Sequence, residues 1–366
     1  MLVLNTVEKN DISYIHTKAS EAFNKFSGKV ILITGANGFL GYYFIKSILT
    51  WNDEHKKKIK LILYSRFKNG FPAWLKKIKN RIDLKICKKD VINLHLSVNE
   101  KINYIIHCAS IASPIVYRRY PIETMKANVE GLSNLLEYAK KRNDIKQPIN
   151  GILYFSSSEI YGDPTPENIP THEEYRGNVS CTGPRACYDE SKRYCETLAV
   201  NYAGMYNIPI KIARPFNNYG PGLRIDDGRV IPDFAKNILS NKNIMMFSDG
   251  SPKRTFCYVA DAITGYLLLL AKGKMGESYN IGVEKPEISI RELAEKMINI
   301  GKNKFNYKGK ITFQKSSDEH YLVDNPQRRC PKINKAKKEF GYNPEISLDQ
   351  GLYRILSWYE EGGKDL

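Results

Sequence analysis

The sequence predicts an α/β fold with a doubly wound parallel sheet and a smaller C-terminal α/β substrate domain. Short β-branched runs alternate with helical patterns over the first 215 of its 366 residues. A glycine-rich turn follows the first run, and further on a tyrosine and a lysine stand four residues apart, the spacing of one helix face. Strands that alternate with helices form a parallel sheet that binds ligands at the carboxyl ends of its strands. This is the arrangement of a Rossmann-type domain.

The first strand is expected at 30–33, where a β-branched run ends at the glycine-rich turn. The apolar pattern after that turn predicts a helix. Five more strand-like runs follow, with one long helical segment before the fifth strand. The further strands are expected at 61–64, 84–87, 104–109, 151–156 and 210–214, and the long helix at about 124–141.

The chain divides into three predicted parts. Residues 1–27 form a helical extension, 28–215 the dinucleotide-binding Rossmann domain and 216–366 the substrate domain. Segments near 255–282 are expected to return partly to the Rossmann domain. In the substrate domain, helices are predicted near 230–239, 260–271 and 290–300.

Composition points to a soluble enzyme in the cytoplasm. Hydrophobic residues make up 42% and charged residues 26%, no apolar run could span a bilayer, and the first 29 residues have no secretory pattern. The seven cysteines show no CxxC pair or ligand-like spacing, so we expect free thiols and no metal site. The net charge of +17 lies largely in lysine runs without interleaved aromatic residues. This pattern indicates that the lysine runs lie on solvent-exposed surfaces rather than in a nucleic-acid-binding groove. Their positive field could still attract a nucleotide diphosphate.

The glycine-rich turn predicts a dinucleotide site. Gly35, Gly38 and Gly41 have GxxGxxG spacing between a strand and a helix. The first glycine permits a tight turn, the second lets backbone N–H groups approach a pyrophosphate, and the third allows close helix–strand packing. A turn without a ligand is the alternative. We expect the intervening residues Asn37, Phe39 and Leu40 to share in cofactor binding.

The end of the second strand leaves the choice between NAD and NADP open. An acid at this place would bind the adenosine ribose and favour NAD. The sequence has Ser65 and Arg66 instead, which could accept a 2′-phosphate, or Arg66 could stack on the adenine. After the third strand, Asp90 and Val91 suit a contact with the adenine edge. A solvated loop aspartate is the alternative.

Tyr188 and Lys192 predict hydride chemistry beside a hydroxyl group. They are four residues apart and share a face if the segment is helical. A free tyrosine has a pKa of about 10, and a nearby ammonium and a nicotinamide cation both favour its phenolate form. Tyr188 could then remove a hydroxyl proton as hydride leaves the same carbon. Lys192 could also hold the nicotinamide ribose. An amphipathic surface pair is the alternative.

Two side chains after the fifth strand complete the predicted centre. If the hydroxyl group belongs to a sugar that reacts at C4, Ser157 could hydrogen-bond the C4 oxygen, and Glu159 could orient the sugar, bind water or move a proton. A capping or loop carboxylate is the alternative for Glu159.

These motifs resemble the extended short-chain dehydrogenase/reductases of the NAD-dependent epimerase/dehydratase family. Within that family the chain looks most like the UDP-glucuronate decarboxylases, over about 29–359. The most specific segment is GPRACYDESKR at 183–193. Other matching segments are 107–117, 158–164, 214–221, 227–230, 254–261 and 326–329.

The resemblance implies oxidation at C4 of a nucleotide-linked glucuronate by bound NAD, loss of carbon dioxide and reduction to a pentose. It implies that 216–366 binds the nucleotide sugar and that two long helices form a homodimer. Carried over by position, the catalytic residues are Ser157, Glu159, Tyr188, Lys192 and Arg254. Further cofactor contacts fall on Ala109, Ser110 and Pro215, and substrate contacts on Tyr117, Asn217, Arg229, Arg254, Tyr258 and Arg329. Surface ion pairing is the alternative for the arginines.

The chain also departs from the family pattern. No acid stands at Ser65, the stretch 51–60 is longer than usual, and the N-terminal extension lies outside the family core. The nearest rival functions are a 4,6-dehydratase and a C4 epimerase in surface-polysaccharide synthesis. Dehydratases carry an acid where this chain has Ser158, and Glu159 argues against the simplest epimerases. A non-catalytic cofactor sensor is a remote alternative, which the pair of Tyr188 and Lys192 disfavours.

Overall fold

A computed structural model describes residues 2, 4–68, 70–316 and 323–363. The described helices are α1 (Thr6–Lys18), α2 (Ser20–Phe26), α3 (Phe39–Glu54), α4 (Ala73–Lys76), α5 (Pro114–Arg119), α6 (Pro121–Asp144), α7 (Ala186–Tyr206), α8 (Val230–Leu239), α9 (Val259–Lys272), α10 (Ile290–Lys304), α11 (Asn334–Phe340) and α12 (Leu348–Glu360). The described strands are β1 (Val30–Thr34), β2 (Lys60–Ser65), β3 (Leu84–Lys88), β4 (Tyr104–His107), β5 (Gly151–Phe155), β6 (Ile210–Pro215), β7 (Asn218–Tyr219), β8 (Ile244–Met246), β9 (Lys253–Arg254), β10 (Cys257–Tyr258), β11 (Ser278–Ile281), β12 (Ile288–Ser289), β13 (Ile311–Phe313) and β14 (Arg328–Arg329).

The main sheet has seven strands in the order β11-β6-β5-β4-β1-β2-β3, and every neighbouring pair in it is parallel. The strand order runs outward on both sides of β1, which makes the sheet doubly wound. The predicted fold class is therefore confirmed. The short strands form separate two- and three-stranded sheets around the cleft described below.

Apolar side chains cover both faces of the main sheet, because its strands are buried on both sides. One face packs against α6 and α7, whose buried residues include Leu132, Leu136 and Ala199. The other face packs against α3 and α9. Strand β4 is two residues shorter than predicted, because its pairing with β1 ends at Thr34–His107 and its pairing with β5 ends at His107–Tyr154.

Strand β11 pairs with β6 at the edge of the main sheet, so the chain beyond residue 216 contributes to that sheet. The domain boundaries themselves stay a prediction. No described helix is long and apolar enough to cross a membrane.

The N-terminal helices α1 and α2 pack against α3 and α9. The Phe23 ring stacks on Trp51 of α3, with centroids 4.8 Å apart. The long connection after α3 is closed by Asn52, whose side-chain amide donates to the carbonyl of Ile59 at 2.8 Å and accepts from its N–H at 2.9 Å. The extension is thus part of the packed core on this face of the sheet.

Candidate functional site

A cleft of about 1470 Å³ opens at the carboxyl ends of the parallel strands. It runs between the main sheet and the segments that follow β6. The sequence-predicted residues that line it are Gly35, Asn37, Gly38, Phe39, Leu40, Gly41, Arg66, Ser110, Tyr117, Ser157, Glu159, Tyr188, Lys192, Pro215, Asn217, Arg229, Arg254 and Arg329. The structure therefore brings most of the predicted site together in one place.

The turn between β1 and α3 has the shape of a phosphate-binding loop. Gly35 has φ +66°, and a Cβ there would lie 2.7 Å from the backbone nitrogen of Ala109. A Cβ at Gly41 would lie 2.8 Å from the carbonyl oxygens of Gly35 and Ala36. Helix α3 starts at Phe39 with Gly38 as its N-cap residue, so unpaired helix N–H groups lie at the cleft. This loop fits the pyrophosphate of a dinucleotide.

Four predicted cofactor contacts are not among the described cleft-lining residues. Ser65 ends β2, and Ala109 lies against the first glycine of the loop. The Asp90 carboxylate accepts the N–H of Ile92 at 3.2 Å, a local turn contact. Val91 packs toward Gly131 of α6. Contacts between these four residues and a cofactor stay predictions.

Tyr188 and Lys192 lie on one buried face of α7 and both line the cleft. Tyr188 shares a side-chain hydrogen bond with Ser157, which follows β5. The Lys192 ammonium donates to the carbonyl of Phe155 at 2.7 Å and lies 5.7 Å from the centroid of the Tyr188 ring. The end of β5 and the first turns of α7 thus hold the predicted base, its hydroxyl partner and the ammonium together.

Burial shifts the pKa values of Tyr188 and Lys192 in opposite directions, and both shifts favour the neutral form of the side chain. Burial raises the pKa of Tyr188 to about 12, against the lowering effect of the hydrogen bond with Ser157. Burial lowers the pKa of Lys192 to about 8. The protein's own groups therefore do not make Tyr188 a phenolate at neutral pH, and a further positive charge at the cleft is needed to do so.

Glu159 is the centre of a charged cluster at the cleft. Its Oε2 atom lies 2.5 Å from Nη2 of Arg185 and 2.6 Å from Nη2 of Arg329. Burial by itself would raise the pKa of Glu159, but the two guanidinium groups hold it at about 2. The site therefore contains an ionised carboxylate in a largely water-excluded position.

Sequence reasoning missed Arg185 and Asp189. Arg185 immediately precedes α7, and its Nε atom lies 3.8 Å from a carboxylate oxygen of Asp189. Burial and the charge of Glu159 raise the pKa of Asp189 to about 8. Both residues flank Tyr188 within the segment 183–193, and their spacing of four on a helical face was the signal that could have identified them.

Arg254 and Asn217 line the cleft but already have partners within the protein. Arg254 donates to the carbonyl oxygens of Pro326 at 2.5 Å and Lys253 at 2.8 Å, and burial lowers its pKa to about 9. Asn217 donates to the carbonyl of Thr255 at 2.8 Å and accepts from Arg329 at 3.3 Å.

Arg229 and Tyr117 lie elsewhere on the cleft wall. The Arg229 guanidinium pairs with the carboxylate of Asp227. The Tyr117 ring lies under Arg185, whose Cζ atom is 5.8 Å from the ring centroid. Among the described residues, the buried Tyr117 hydroxyl has no hydrogen-bond partner.

Tyr258 was predicted to contact substrate, and the structure places it elsewhere. Its hydroxyl donates to Asp11 of α1 at 2.7 Å, and its ring is buried beneath Arg354 of α12. Tyr258 is not among the described residues that line the cleft. The segment 254–261 bends from β9 into α9, so Arg254 lies at the cleft while Tyr258 lies in the core.

Within 4–68, 70–316 and 323–363, no group of three or more His, Cys, Asp or Glu side chains could hold a metal ion.

A Rossmann-type sheet, a glycine-rich loop and a Tyr–Lys pair on one cleft define the class of short-chain dehydrogenases/reductases. The family model described as "NAD dependent epimerase/dehydratase family" matches residues 31–282. The chain belongs to this family.

Curated relatives cover most of the chain. It is 33% identical to UDP-glucuronic acid decarboxylase 1 of Arabidopsis thaliana over 342 residues, which are 92% of this chain and 72% of that protein. It is 32% identical to UDP-glucuronic acid decarboxylase 1 of Xenopus tropicalis, over 91% of this chain and 72% of that protein. The crystal structure of UDP-glucuronic acid 4-epimerase from Bacillus cereus, in complex with UDP-glucuronic acid and NAD, is 25% identical with a TM-score of 0.72. That comparison covers 91% of this chain and 99% of the other.

Proposed function

We propose that the protein decarboxylates UDP-glucuronate to a UDP-pentose through transient oxidation at C4 by bound NAD. The observation that carries the proposal is the single cleft in which Tyr188, Ser157 and Lys192 meet the ionised Glu159 beside a phosphate-binding loop. Identity of 32–33% to UDP-glucuronic acid decarboxylases over nine-tenths of the chain supports it.

The residues divide the reaction between them. The loop from Gly35 to Gly41 holds the cofactor pyrophosphate, and Lys192 holds the nicotinamide ribose. When bound, the cofactor accepts hydride from C4 of the sugar and later returns it. Tyr188 takes the proton of the C4 hydroxyl as the ketone forms, and Ser157 hydrogen-bonds the same oxygen.

Decarboxylation follows from the C4 ketone. The electrons of the C5–C6 bond move into an enolate across C4 and C5 while C6 leaves as carbon dioxide. A proton then adds at C5, and Tyr188 returns its proton to the C4 oxygen during reduction. Hydride and the hydroxyl proton are both restored, so the only net changes are the loss of carbon dioxide and the uptake of one proton. Arg254 and Arg329 would engage the anionic groups of the substrate, and Glu159 would orient the sugar or carry the proton.

The side chain at position 158 argues against a dehydratase. Elimination of the C6 hydroxyl needs a proton donor, and Ser158 is buried at the place where dehydratases carry an acid. A uronate 4-epimerase is the second candidate, because the Bacillus cereus structure shares the fold and has UDP-glucuronic acid and NAD bound.

The test is incubation of the purified protein with UDP-glucuronate, followed by mass spectrometry of the nucleotide sugar and trapping of carbon dioxide. The proposal requires carbon dioxide release and a UDP-pentose. An isomer of unchanged mass would instead identify an epimerase. A 4-keto-6-deoxy product from a panel of nucleotide hexoses would identify a dehydratase. Absence of hydride exchange at C4 with every substrate tested would indicate a non-catalytic protein that senses the cofactor.

NAD is the cofactor that we propose, with NADP accepted at the same site. Arg66 and Lys68 line the cleft just beyond β2 and supply positive charge where a 2′-phosphate would lie. Mass spectrometry of nucleotide released from denatured protein, followed by titration of the two cofactors, tests this. The substitution Arg66→Glu should weaken NADP binding and leave NAD binding nearly unchanged. Equal losses for both cofactors would contradict the assignment.

We also propose a homodimer that works in the cytoplasm and supplies a pentose donor for surface-polysaccharide synthesis. Exposed apolar side chains on the paired helices α6 and α7 support the dimer: Met125 is 44% exposed, Tyr194 55% and Met205 71%. Sedimentation equilibrium of the wild type and of Tyr194→Glu tests it. A dimer that the substitution converts to a monomer is expected, and a monomeric wild type would refute it. Fractionation of cells that express the protein tests the compartment.

A further inference from the structure

The carboxylate of Glu159 is held asymmetrically. The two close guanidinium contacts, from Arg185 and Arg329, both fall on Oε2, at 2.5 and 2.6 Å. Glu159 nevertheless lines the cleft, and no hydrogen bond to its Oε1 atom occurs among the described residues. Oε2 is therefore held by two guanidinium groups, and Oε1 has no hydrogen bond from the described residues of the cleft wall.

We propose that Arg185 is a positioning residue: together with Arg329 it fixes Oε2 of Glu159 so that Oε1 is presented to the sugar. This inference rests on the proposed function, because it assigns Arg185 a role through an acid that acts on substrate. Arg185 is buried at the wall of the cleft, and its closest charged contact is the carboxylate of Glu159.

The contacts of Arg185 differ from those of a buried arginine with a purely structural role. Arg142 is equally enclosed, and it donates to the backbone carbonyl oxygens of Gln147 at 2.8 Å and Val98 at 2.9 Å. Arg185 directs a terminal nitrogen to Glu159, while its Nε atom has no hydrogen-bond partner among the described residues. Its Cζ atom also lies 5.8 Å from the centroid of the Tyr117 ring, so Arg185 lies between Glu159 and Tyr117 and interacts with both.

Asp189 does not compete effectively for this guanidinium group. Its nearest oxygen lies 3.8 Å from Nε of Arg185, compared with 2.5 Å between Arg185 and Glu159. Burial and the charge of Glu159 raise the pKa of Asp189 to about 8, so at neutral pH it is mostly uncharged. The charge of Arg185 therefore acts mainly on Glu159.

The titration of Glu159 depends on groups from four neighbouring elements. Helix α7 and the residue before it, helix α5, strand β9 and strand β14 each contribute. The titratable or charged groups that face it are Arg185, Tyr188, Asp189, Tyr117, Arg254 and Arg329. An adjacent opposite charge commonly lowers a carboxyl pKa by about 1–3 pH units. Loss of Arg185 should therefore move the Glu159 titration upward, while Arg329 keeps part of the effect.

The first experiment is a double-mutant cycle on carbon dioxide release from UDP-glucuronate. Arg185→Gln should lower kcat about 100-fold and change KM by less than about threefold, the size expected when one acid–base group is misplaced. The double variant Arg185→Gln/Glu159→Gln should be no slower than Glu159→Gln by more than about twofold. Arg142→Gln, the matched control, should keep kcat within about threefold of the wild type. Additive losses in the double variant would overturn the inference.

The second experiment needs no turnover. Protein labelled with ¹³C at the glutamate carboxyl carbon is titrated by NMR, and the Glu159 signal is assigned by its loss in Glu159→Gln. Arg185→Gln should raise the titration midpoint of this signal by about 1 pH unit or more, and Arg142→Gln should leave it in place. An unchanged midpoint in Arg185→Gln would overturn the inference. A wild type that releases no carbon dioxide would instead refute the proposed function and leave the NMR result interpretable.

Arg185→Lys provides a variant that keeps the charge if the glutamine variant fails to fold. A lysine places a single ammonium where the guanidinium fork stood, so kcat should fall about 10-fold with a smaller rise of the Glu159 midpoint. Wild-type kcat in a folded Arg185→Lys protein would show that the fork has no positioning role.

Discussion

The rings of Tyr117 and Tyr188 lie almost parallel, with centroids 5.0 Å apart and planes inclined by 12°. Tyr117 belongs to α5 and Tyr188 to α7, so the stack joins two walls of the cleft. Such aromatic pairs contribute about 0.5–1.5 kcal/mol beyond their buried area. The plane of the Tyr188 ring is therefore fixed by packing, and its hydroxyl is left to hydrogen-bond Ser157.

Replacement of Tyr188 by phenylalanine should abolish turnover without disrupting the cleft. The ring and its stack on Tyr117 remain, but no group is left to exchange the C4 proton. We expect kcat to fall about 10³-fold, with cofactor binding nearly unchanged by fluorescence titration. Tyr202→Phe on the same helix removes a hydroxyl that bonds Glu137 and should keep full activity. Near-full activity of Tyr188→Phe would show that another group is the base.

The features that could be predicted from the sequence are those that depend on residues close together in the chain. The main strands up to β6, the glycine loop and the Tyr–Lys pair each depend on residues within one or two turns of chain. Arg185 lay in the best-matched segment, yet its function depends on Glu159, which follows β5, and on the contact of that acid with Arg329, 170 residues away. Long-range contacts of this kind leave no periodic signal.

The predicted substrate contact of Tyr258 was wrong for a related reason. Its segment matched the family along with Arg254, but the chain enters α9 just after the tyrosine and buries its ring, with the hydroxyl on Asp11. The N-terminal helix that supplies Asp11 lies outside the family core, and so its buried polar contacts could not be predicted from family motifs.

Lys192 should make folding stability depend on alkaline pH. Burial lowers its pKa from 10.5 to about 8, so between these values the unfolded chain binds more protons than the folded protein. Stability should therefore rise as pH increases from about 8 to 10.5, by up to about 1.4 kcal/mol for each pH unit in this range. Lys192→Met should flatten this rise in urea unfolding, and Lys302→Met on the exposed end of α10 should not. The same slope in wild type and Lys192→Met would contradict a desolvated ammonium.

Asp189 should produce the opposite dependence at lower pH. Its pKa is raised from 3.8 to about 8, so over this range the folded protein binds more protons than the unfolded chain. Stability should then fall as pH rises from about 4 to 8. Asn imitates the protonated acid, so Asp189→Asn should have the same pH dependence as the wild type below about pH 4 and become progressively more stable relative to it as pH rises to about 8. The control is Asp349→Asn, whose carboxylate pairs with Lys296 at the surface, and it should keep the wild-type slope. Parallel curves for wild type and Asp189→Asn would mean that Asp189 is ionised throughout.

The N-terminal helices should contribute strongly to stability through Glu8. Its carboxylate lies 2.6 Å from the Lys46 ammonium of α3 and accepts the indole N–H of Trp358 of α12 at 3.3 Å. Both charged side chains are only 5% exposed, so Glu8→Ala leaves a buried ammonium without its counter-charge. Loss of one partner from a buried pair costs about 3–5 kcal/mol, whereas an exposed pair contributes about 0–1 kcal/mol.

Urea unfolding at about pH 7 should therefore separate Glu8→Ala from Lys18→Ala. Lys18, at the end of α1, pairs with Glu345 in the segment before α12, but these side chains are 38% and 45% exposed, so its loss should cost less than about 1 kcal/mol. The double variant Glu8→Gln/Lys46→Met should recover much of the stability lost in Glu8→Ala, because it removes the unpaired charge as well. If Glu8→Ala and Lys18→Ala proved equally mild, the extension would be a peripheral addition rather than part of the core.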